Sequence, residues 1–307
     1  MFKLKGLFKG KKNKAFQVIY GIDQNFIMPA SISIRSLIET HSSSTPLNIH
    51  ILHMPMAESF RDELEKALPV KVNFKIHWHE MKVERIANLR PGLKHVSLAT
   101  YLRFLAIEVL PIDTECAIYL DGDTVVLDEI EKLFEQFDPK WAVQACQDHT
   151  GYFGSPLIGL SGCEKFGILP AETYFNSGVL LFNMKVWREE RLNEKLLEFA
   201  RLNPEFLHIA DQNAMNIVLH KRIGTLSPLW NVQVIHPNGA KKAKCVEQDH
   251  DHARIFHYTT ALKPWSTGQS NPEARYFYRY FDQTHWAKSR SQSSLQANNH
   301  SNTDPRT

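Results

Sequence analysis

The stretch Cys116-Ala117-Ile118-Tyr119-Leu120-Asp121-Gly122-Asp123-Thr124-Val125-Val126 is an apolar run that stops at two carboxylates one residue apart. A short apolar run closed by Asp-Gly reads as a strand buried on both faces, and its polar end marks where the chain leaves the sheet. In open α/β sheets, ligands bind at that edge. Carboxylates at i and i+2 around a glycine can both turn toward one hard divalent cation, because a turn need not keep a strand's up-and-down alternation. The plainer reading is Asp-Gly as ordinary turn chemistry.

Outward from this strand, the pattern alternates between two periods. Phe16 to Tyr20 is β-prone and ends in Gly21-Ile22-Asp23-Gln24-Asn25. Met28 to Thr40 has apolar residues at helical spacing with Pro29 near its start, where a missing amide proton does no harm. Leu47 to Leu52 predicts a strand, Ala57 to Leu68 a helix and Val72 to Trp78 a third strand, and this βαβαβ order implies a parallel sheet. Ser97 to Leu110 predicts a helix closed by Pro111. Trp141 to Cys146, Gly178 to Phe182 and Arg254 to Tyr258 predict strands; Trp187 to Arg201 and Asp211 to Leu219 predict helices. From about Lys288 the composition turns to Ser, Gln, Asn and His, too polar to order itself.

The totals bound the function. A chain of 307 residues, 43% hydrophobic, can bury one large α/β domain with a small appendage. A net charge of +3, without an arginine-rich stripe, argues against nucleic acid as a partner. The four cysteines, Cys116, Cys146, Cys163 and Cys245, form no C-x-x-C and read as reduced thiols of a cytoplasmic protein. The start, Met1 to Lys14, interleaves Phe and Leu with lysines, which breaks up the apolar core that an export signal needs. It reads as a basic-hydrophobic arm on an anionic membrane surface or as a disordered terminus. No G-x-x-x-x-G-K-[ST], G-x-G-x-x-G or G-x-S-x-G is present, so the P-loop, dinucleotide and hydrolase-elbow chemistries lack their signatures.

Four polar clusters fall at the ends of the predicted strands. Asp23 and Asn25 suit a uracil edge and a ribose, or an Asx turn into the helix. Asp121 and Asp123 are the second cluster. Asn176-Ser177-Gly178 and Asp211-Gln212 suit sugar hydroxyls, with Asp211 equally suited to cap its helix. His257 is fit to complete a metal's ligand set, and Lys263 to neutralise a diphosphate. His77-Trp78-His79-Glu80 and Asp249-His250-Asp251-His252 have ligand-like composition without zinc spacing, and read as solvated strand-end and loop residues.

In this order the clusters resemble family 8 glycosyltransferases, retaining enzymes that include bacterial lipopolysaccharide galactosyl- and glucosyltransferases and glycogenin. The resemblance runs from about Phe16 to Trp265. It implies an α/β fold: a single GT-A-like nucleotide-sugar-binding domain with a mostly parallel central sheet at 16–265, preceded by the arm at 1–15 and followed by a small extension at 266–287 and a disordered tail at 288–307. It implies nucleotide contacts from Asp23 and Asn25. His95-Val96-Ser97-Leu98-Ala99-Thr100-Tyr101-Leu102-Arg103 resembles the family's H-x-S-x-x-T-Y-x-R segment, which brings His95 toward substrate and Arg103 toward the donor sugar and diphosphate. Asp121, Gly122 and Asp123 fall on the D-x-D that holds Mn²⁺, or Mg²⁺, together with His257; Lys263 falls on the lysine that meets the diphosphate.

Asp148, Asn176, Ser177, Asp211 and Gln212 fall on positions lining the donor-sugar and acceptor pocket. Ser177, and Thr259-Thr260-Ala261 in place of a glycine-containing loop, depart from the common pattern. The implied activity is hexose transfer with retention from UDP-galactose or UDP-glucose to a saccharide acceptor, a lipid-linked lipopolysaccharide or lipooligosaccharide core, by a cytoplasmic enzyme held peripherally at the inner membrane surface. Gln212 sits where a nucleophile is expected, but an amide oxygen is a poor one, so front-face attack is the expectation, with Asp211 orienting the sugar. The alternative is a UDP-sugar sensor or scaffold without efficient transfer.

Overall fold

The structure is a computed structural model that describes residues 15–71, 73–92, 97–155, 160, 162–235, 248–261, 263–266 and 271–288. The N-terminal arm through Lys14, His95, Cys245, Leu262 and the tail from Ser289 lie outside the described residues.

A seven-stranded sheet forms the centre, in the order β3-β2-β1-β4-β7-β6-β8. Its strands are β1 (Phe16–Ile22), β2 (Leu47–His53), β3 (Phe74–Glu80), β4 (Cys116–Leu120), β6 (Val143–Tyr152), β7 (Thr173–Asn183) and β8 (Ile223–Thr225). Pairing is parallel from β3 through β4, and β7 alone runs against its neighbours. Because β7 is reversed, its first half lies beside the C-terminal end of β4, which brings Asn176, Ser177 and Gly178 to the edge where Asp121 leaves the sheet.

Both faces of the sheet are covered, which is why its strands read as continuous apolar runs. Ile19, Ala117, Tyr119, Leu180 and Phe182 face one core, packed by residues 98–108 and by α4 (Met184–Glu189), α5 (Leu192–Leu202) and α6 (Ala210–Val218). Val18, Tyr20, Ile118, Leu120, Val179 and Leu181 face the other, under α1 (Ile27–Thr40), α2 (Glu58–Lys66) and α3 (Glu131–Phe134). Ile118 and Leu120 are wholly buried, each contributing about 2 kcal/mol of apolar burial.

A second, three-stranded sheet is built from β5 (Thr124–Val126), β10 (Ile255–His257) and β9 (Val232–Gln233), in that order. It packs with α1 and the C-terminal helix Ala274–Phe281, through Ile32, Val125, Phe256 and Phe277. Among the described residues, no helix is long and apolar enough to cross a membrane.

Three sequence expectations change. Ser97–Leu110 is not an α-helix: Leu98–Glu108 is a 3₁₀ helix, capped by the Ser97 side chain accepting from Ala99 N. An apolar run of three turns does not distinguish a period of 3.0 from 3.6. The helix expected over Trp187–Arg201 is two helices, broken where Arg191 takes a left-handed backbone (φ 52°). The strand expected at Trp141–Cys146 starts at Val143 and continues to Tyr152, carrying Asp148 and His149 with it. Cys116, Cys146 and Cys163 are buried free thiols, and desolvation by burial raises the pKa of each.

Candidate active site

The chain leaves β4 at Asp121, whose N–H donates to the Gly178 carbonyl at 2.8 Å. A turn follows, closed by Thr124 N and Thr124 Oγ1 on the Asp121 carbonyl at 3.2 and 2.8 Å. The Thr124 hydroxyl is also paired with Ser33 of α1 at 2.7 Å. This turn carries the chain into β5, and the pairing of Thr124 with His257 in β10 sets the imidazole over the two carboxylates. His257 Nε2 lies 3.3 Å from Asp123 Oδ1 and 3.7 Å from Asp121 Oδ2. One ligand atom from each of the three lies within 4.8 Å of the others, and among the described residues they form the one such cluster.

Two glycines make that approach possible. A Cβ on Gly178 would stand 2.0 Å from His257 Cε1 and 2.8 Å from Asp121 Oδ2, inside the site itself. A Cβ on Gly122 would meet Phe26 Cδ1 at 3.2 Å and Ala30 Cβ at 3.3 Å, so the turn lies close against α1.

Two cations balance the carboxylates. Lys263 Nζ is 2.5 Å from Asp123 Oδ2 and donates to the Tyr258 carbonyl at 2.5 Å. Burial alone would raise the Asp123 carboxyl, but Lys263 and His257 beside it hold it well below the usual carboxylate range. Arg103 is 3% exposed and spans the site: Nη2 reaches Asp121 Oδ1 at 2.8 Å, Nε reaches Asp211 Oδ2 at 3.0 Å, and Nη1 donates to the Ser177 carbonyl. Its guanidinium stacks over Tyr119, 4.6 Å from the ring centre. Burial opposes its charge, yet Asp121 and Asp211 together more than restore it.

The neighbouring wall is a buried polar mesh. Asp211 does not cap α6: its carboxylate accepts from Thr100 Oγ1 and, at 3.0 Å, from Ser177 Oγ, as well as from Arg103, and the residue before the helix, Ile209, caps nothing with its side chain. Burial pushes the Asp211 carboxyl up, against the pull of Arg103 and Thr100. Gln212 Oε1 accepts from Ser177 N at 3.0 Å, with the Ser177 hydroxyl oxygen 3.3 Å away, and its Nε2 donates to Asp148 Oδ2 at 3.1 Å. Asn176 Nδ2 reaches the same Asp148 oxygen at 3.0 Å.

These groups line a cleft of about 650 Å³, large enough for a nucleotide-sized ligand. Asp23 and Asn25 stand at its rim; Asp23 forms the Asx turn, its Oδ1 accepting from Asn25 N at 2.9 Å, and its exposed neighbour Asn25 lines the same cleft. Of the residues singled out from the sequence, Asp23, Asn25, Arg103, Asp121, Gly122, Asp123, Asp148, Asn176, Ser177, Asp211, Gln212, His257 and Lys263 all line it, and His95 lies outside the described residues. Sequence reasoning missed Tyr119 and His149 in the lining, and Asn231 behind it. The donor set, two hard carboxylates and one imidazole converging within 4.8 Å, fits a divalent cation of the Mg²⁺ or Mn²⁺ kind.

The family model described as glycosyl transferase family 8 matches residues 17–268. The chain is 21% identical over 285 residues to general stress protein A of Bacillus subtilis (strain 168), spanning 90% of this chain and 96% of that protein. It is 24% identical over 278 residues to the lipopolysaccharide 1,3-galactosyltransferase of Salmonella typhimurium (strain LT2), spanning 89% and 79%. Against the lipopolysaccharide 1,2-glucosyltransferase of Escherichia coli (strain K12) it is 23% identical over 283 residues, spanning 89% and 80%. Among solved structures, galactosyltransferase LgtC in complex with donor and acceptor sugar analogs matches with a TM-score of 0.71 at 20% identity, over 88% of this chain and 96% of that one. That likeness shows the fold, an α/β GT-A-like architecture.

Proposed function

This chain belongs to glycosyl transferase family 8, and we propose that it transfers a hexose from UDP-galactose or UDP-glucose to a saccharide acceptor with retention at the anomeric carbon. The observation that carries this reading is the convergence of Asp121, Asp123 and His257 in the lining of the cleft, with Lys263 held against Asp123. Asp121, Asp123 and His257 would hold Mn²⁺, or Mg²⁺, and such an ion when bound supplies Lewis-acid stabilisation to the diphosphate of the departing UDP.

The chain's own residues divide the remaining work. Asp23 and Asn25, at the rim, would read the nucleoside. Lys263 would add a positive charge to the diphosphate side, where negative charge develops as the glycosidic bond breaks. Arg103 already has each of its three nitrogens engaged, and so acts by holding Asp121 and Asp211 at a fixed separation across the site. Asp211 would accept a hydrogen bond from a sugar hydroxyl, while Asp148 and Asn176, whose acceptors are already taken, hold the wall behind it in place. Gln212 supports front-face attack by the acceptor: its amide oxygen already accepts from the Ser177 N–H, which lowers what nucleophilicity an amide has.

A lipopolysaccharide-type core is the acceptor we favour, on the names of two relatives, and a peripheral membrane position would follow from it. The test is UDP release from a panel of UDP-sugars, without acceptor, in Mn²⁺ and in chelator. Slow metal-dependent release from one sugar nucleotide is expected and identifies the donor; the absence of any UDP binding overturns the reading.

A further inference from the structure

Asn231 closes the 3₁₀ turn Pro228–Asn231 immediately before β9, and because β9 pairs with β10 its side chain arrives behind His257. It is 1% exposed, and its amide stands between two other side chains. Oδ1 lies 3.0 Å from His257 Nδ1, and Nδ2 lies 2.8 Å from Asn176 Oδ1.

The two ends of this chain of bonds fix which atom is which. Gly178 N–H can only donate, and it donates to Asn176 Oδ1 at 2.9 Å. Asp148 Oδ2 can only accept, and Asn176 Nδ2 and Gln212 Nε2 reach it at 3.0 and 3.1 Å. Its other oxygen takes the Thr150 N–H at 3.0 Å and hydroxyl at 2.7 Å, which keeps the carboxylate an acceptor. Turning Asn176 over would set an NH₂ against an N–H and an oxygen against a carboxylate. Asn176 therefore shows its oxygen to Asn231, so Asn231 must answer with its NH₂ and turn its carbonyl to His257. A carbonyl facing Nδ1 requires a proton on Nδ1, and the neutral ring then carries its lone pair on Nε2, the atom aimed at Asp123 and Asp121.

We propose that Asn231 is the positioning residue that fixes the His257 tautomer and ring plane, so that Nε2 is presented as a metal ligand. Through Asn176 it ties that ligand to Asp148, on the sugar side of the cleft. Ligating imidazoles are ordinarily oriented this way through their second nitrogen, and loss of such a partner typically lowers metal affinity 10- to 100-fold. The inference rests on reading Asp121, Asp123 and His257 as a cation site.

The experiment is Mn²⁺ binding, followed by electron paramagnetic resonance on the full chain without nucleotide, for wild type, D123N and N231L. A ¹⁵N spectrum of the His257 ring accompanies it, recorded without metal at a pH where the ring is neutral. The expected results are binding by wild type, none by D123N, a loss of roughly 10- to 100-fold in N231L, and an Nδ1–H ring in wild type that departs from that tautomer in N231L. Equal affinity in wild type and folded N231L overturns the proposal, and so does an Nε2–H ring in wild type. If N231L does not fold, the wild-type tautomer decides alone. Failure of wild type to bind Mn²⁺ would strike the cation-site reading instead, and the ring spectrum would still test Asn231.

Discussion

Two pairs of ligand-type residues at i, i+2 spacing lie toward the same edge of the central sheet, Asp121/Asp123 after β4 and His77/His79 in β3, and they have opposite fates. His77 and His79 sit inside a regular strand, so both rings fall on one face and stack with His50 of β2, with centroids 4.8 and 5.3 Å from His50. Their nitrogens are spent sideways: His79 on His50 at 3.0 Å, and His77 toward Asn48 at 3.4 Å. The two aspartates sit in a turn, free of alternation, and meet a third ligand-type residue brought in by another sheet. Spacing alone does not make a site; what decides is whether the backbone lets the pair converge and whether the surroundings balance its charge. Around the aspartates stand Arg103 and Lys263, whereas burial and then two further imidazoles oppose the protonation of His50.

The harshest way to break this contrast is D123N, which keeps the shape and removes the better-buried carboxylate of the pair. Turnover should fall by about 100- to 1000-fold, as when one main charge-stabilising group is removed, with the circular dichroism spectrum unchanged. Retained transfer would end the catalytic reading of the turn.

G178A attacks convergence without touching a ligand. The new methyl must displace the His257 ring or move β7, so Mn²⁺ affinity should drop by at least about tenfold. Titration by isothermal calorimetry would show it, and unchanged affinity would mean that the balance of charge, not the close approach, governs the site.

K263M sharpens the part played by charge balance. Breaking a wholly buried ion pair costs about 3–5 kcal/mol; Lys263 is 14% exposed and Asp123 lines an open cleft, so about 1–3 kcal/mol is expected. The metal-free variant should melt earlier, and added Mn²⁺ should recover more of its melting temperature than it adds to wild type, since a ligand of the native state stabilises by mass action. Equal Mn²⁺ shifts in the two proteins would remove Lys263 from the balance.

What could be read from the sequence follows the same line. The run ending at Leu120 and the carboxylates after it were legible because burial on both faces and a turn leave local marks. Asp211 was misjudged as an even candidate for a helix cap because a carboxylate in the first turn of a helix looks alike whether it faces the backbone or Arg103 and Ser177. Of the second sheet, β10 was legible within Arg254–Tyr258, but its pairing with β5 and β9, three and two residues long, was not, since those strands hold together only through distant chain. Asn231 left no mark at all, because its function depends on Asn176 and His257, 55 and 26 residues away. The histidines of β3 were expected to be solvated, yet they are half-buried and stack on a buried His50.

That ladder supplies the mildest test, H50Q. Gln17 Nε2 donates to the Ala15 carbonyl at 3.0 Å, which turns Gln17 Oε1 toward His50 Nε2 at 2.8 Å, so His50 must carry its proton on Nε2. Its Nδ1 is then the acceptor for His79 Nε2–H, and a second proton on His50 would set N–H against N–H. Burial, then His77 and His79, accordingly hold the His50 pKa down to about 3 from 6.5. The sign follows: the native state keeps His50 neutral while the unfolded chain takes up a proton below pH 6.5, so the contribution is complete above that pH and is lost progressively as pH falls toward 3. Wild type should therefore lose melting temperature more steeply than H50Q below pH 6.5, while UDP-sugar turnover near neutral pH stays the same in both. Parallel melting curves would show that the ladder accepts the proton after all, and the two i, i+2 pairs would then differ only in where they sit and not in how their charge is held.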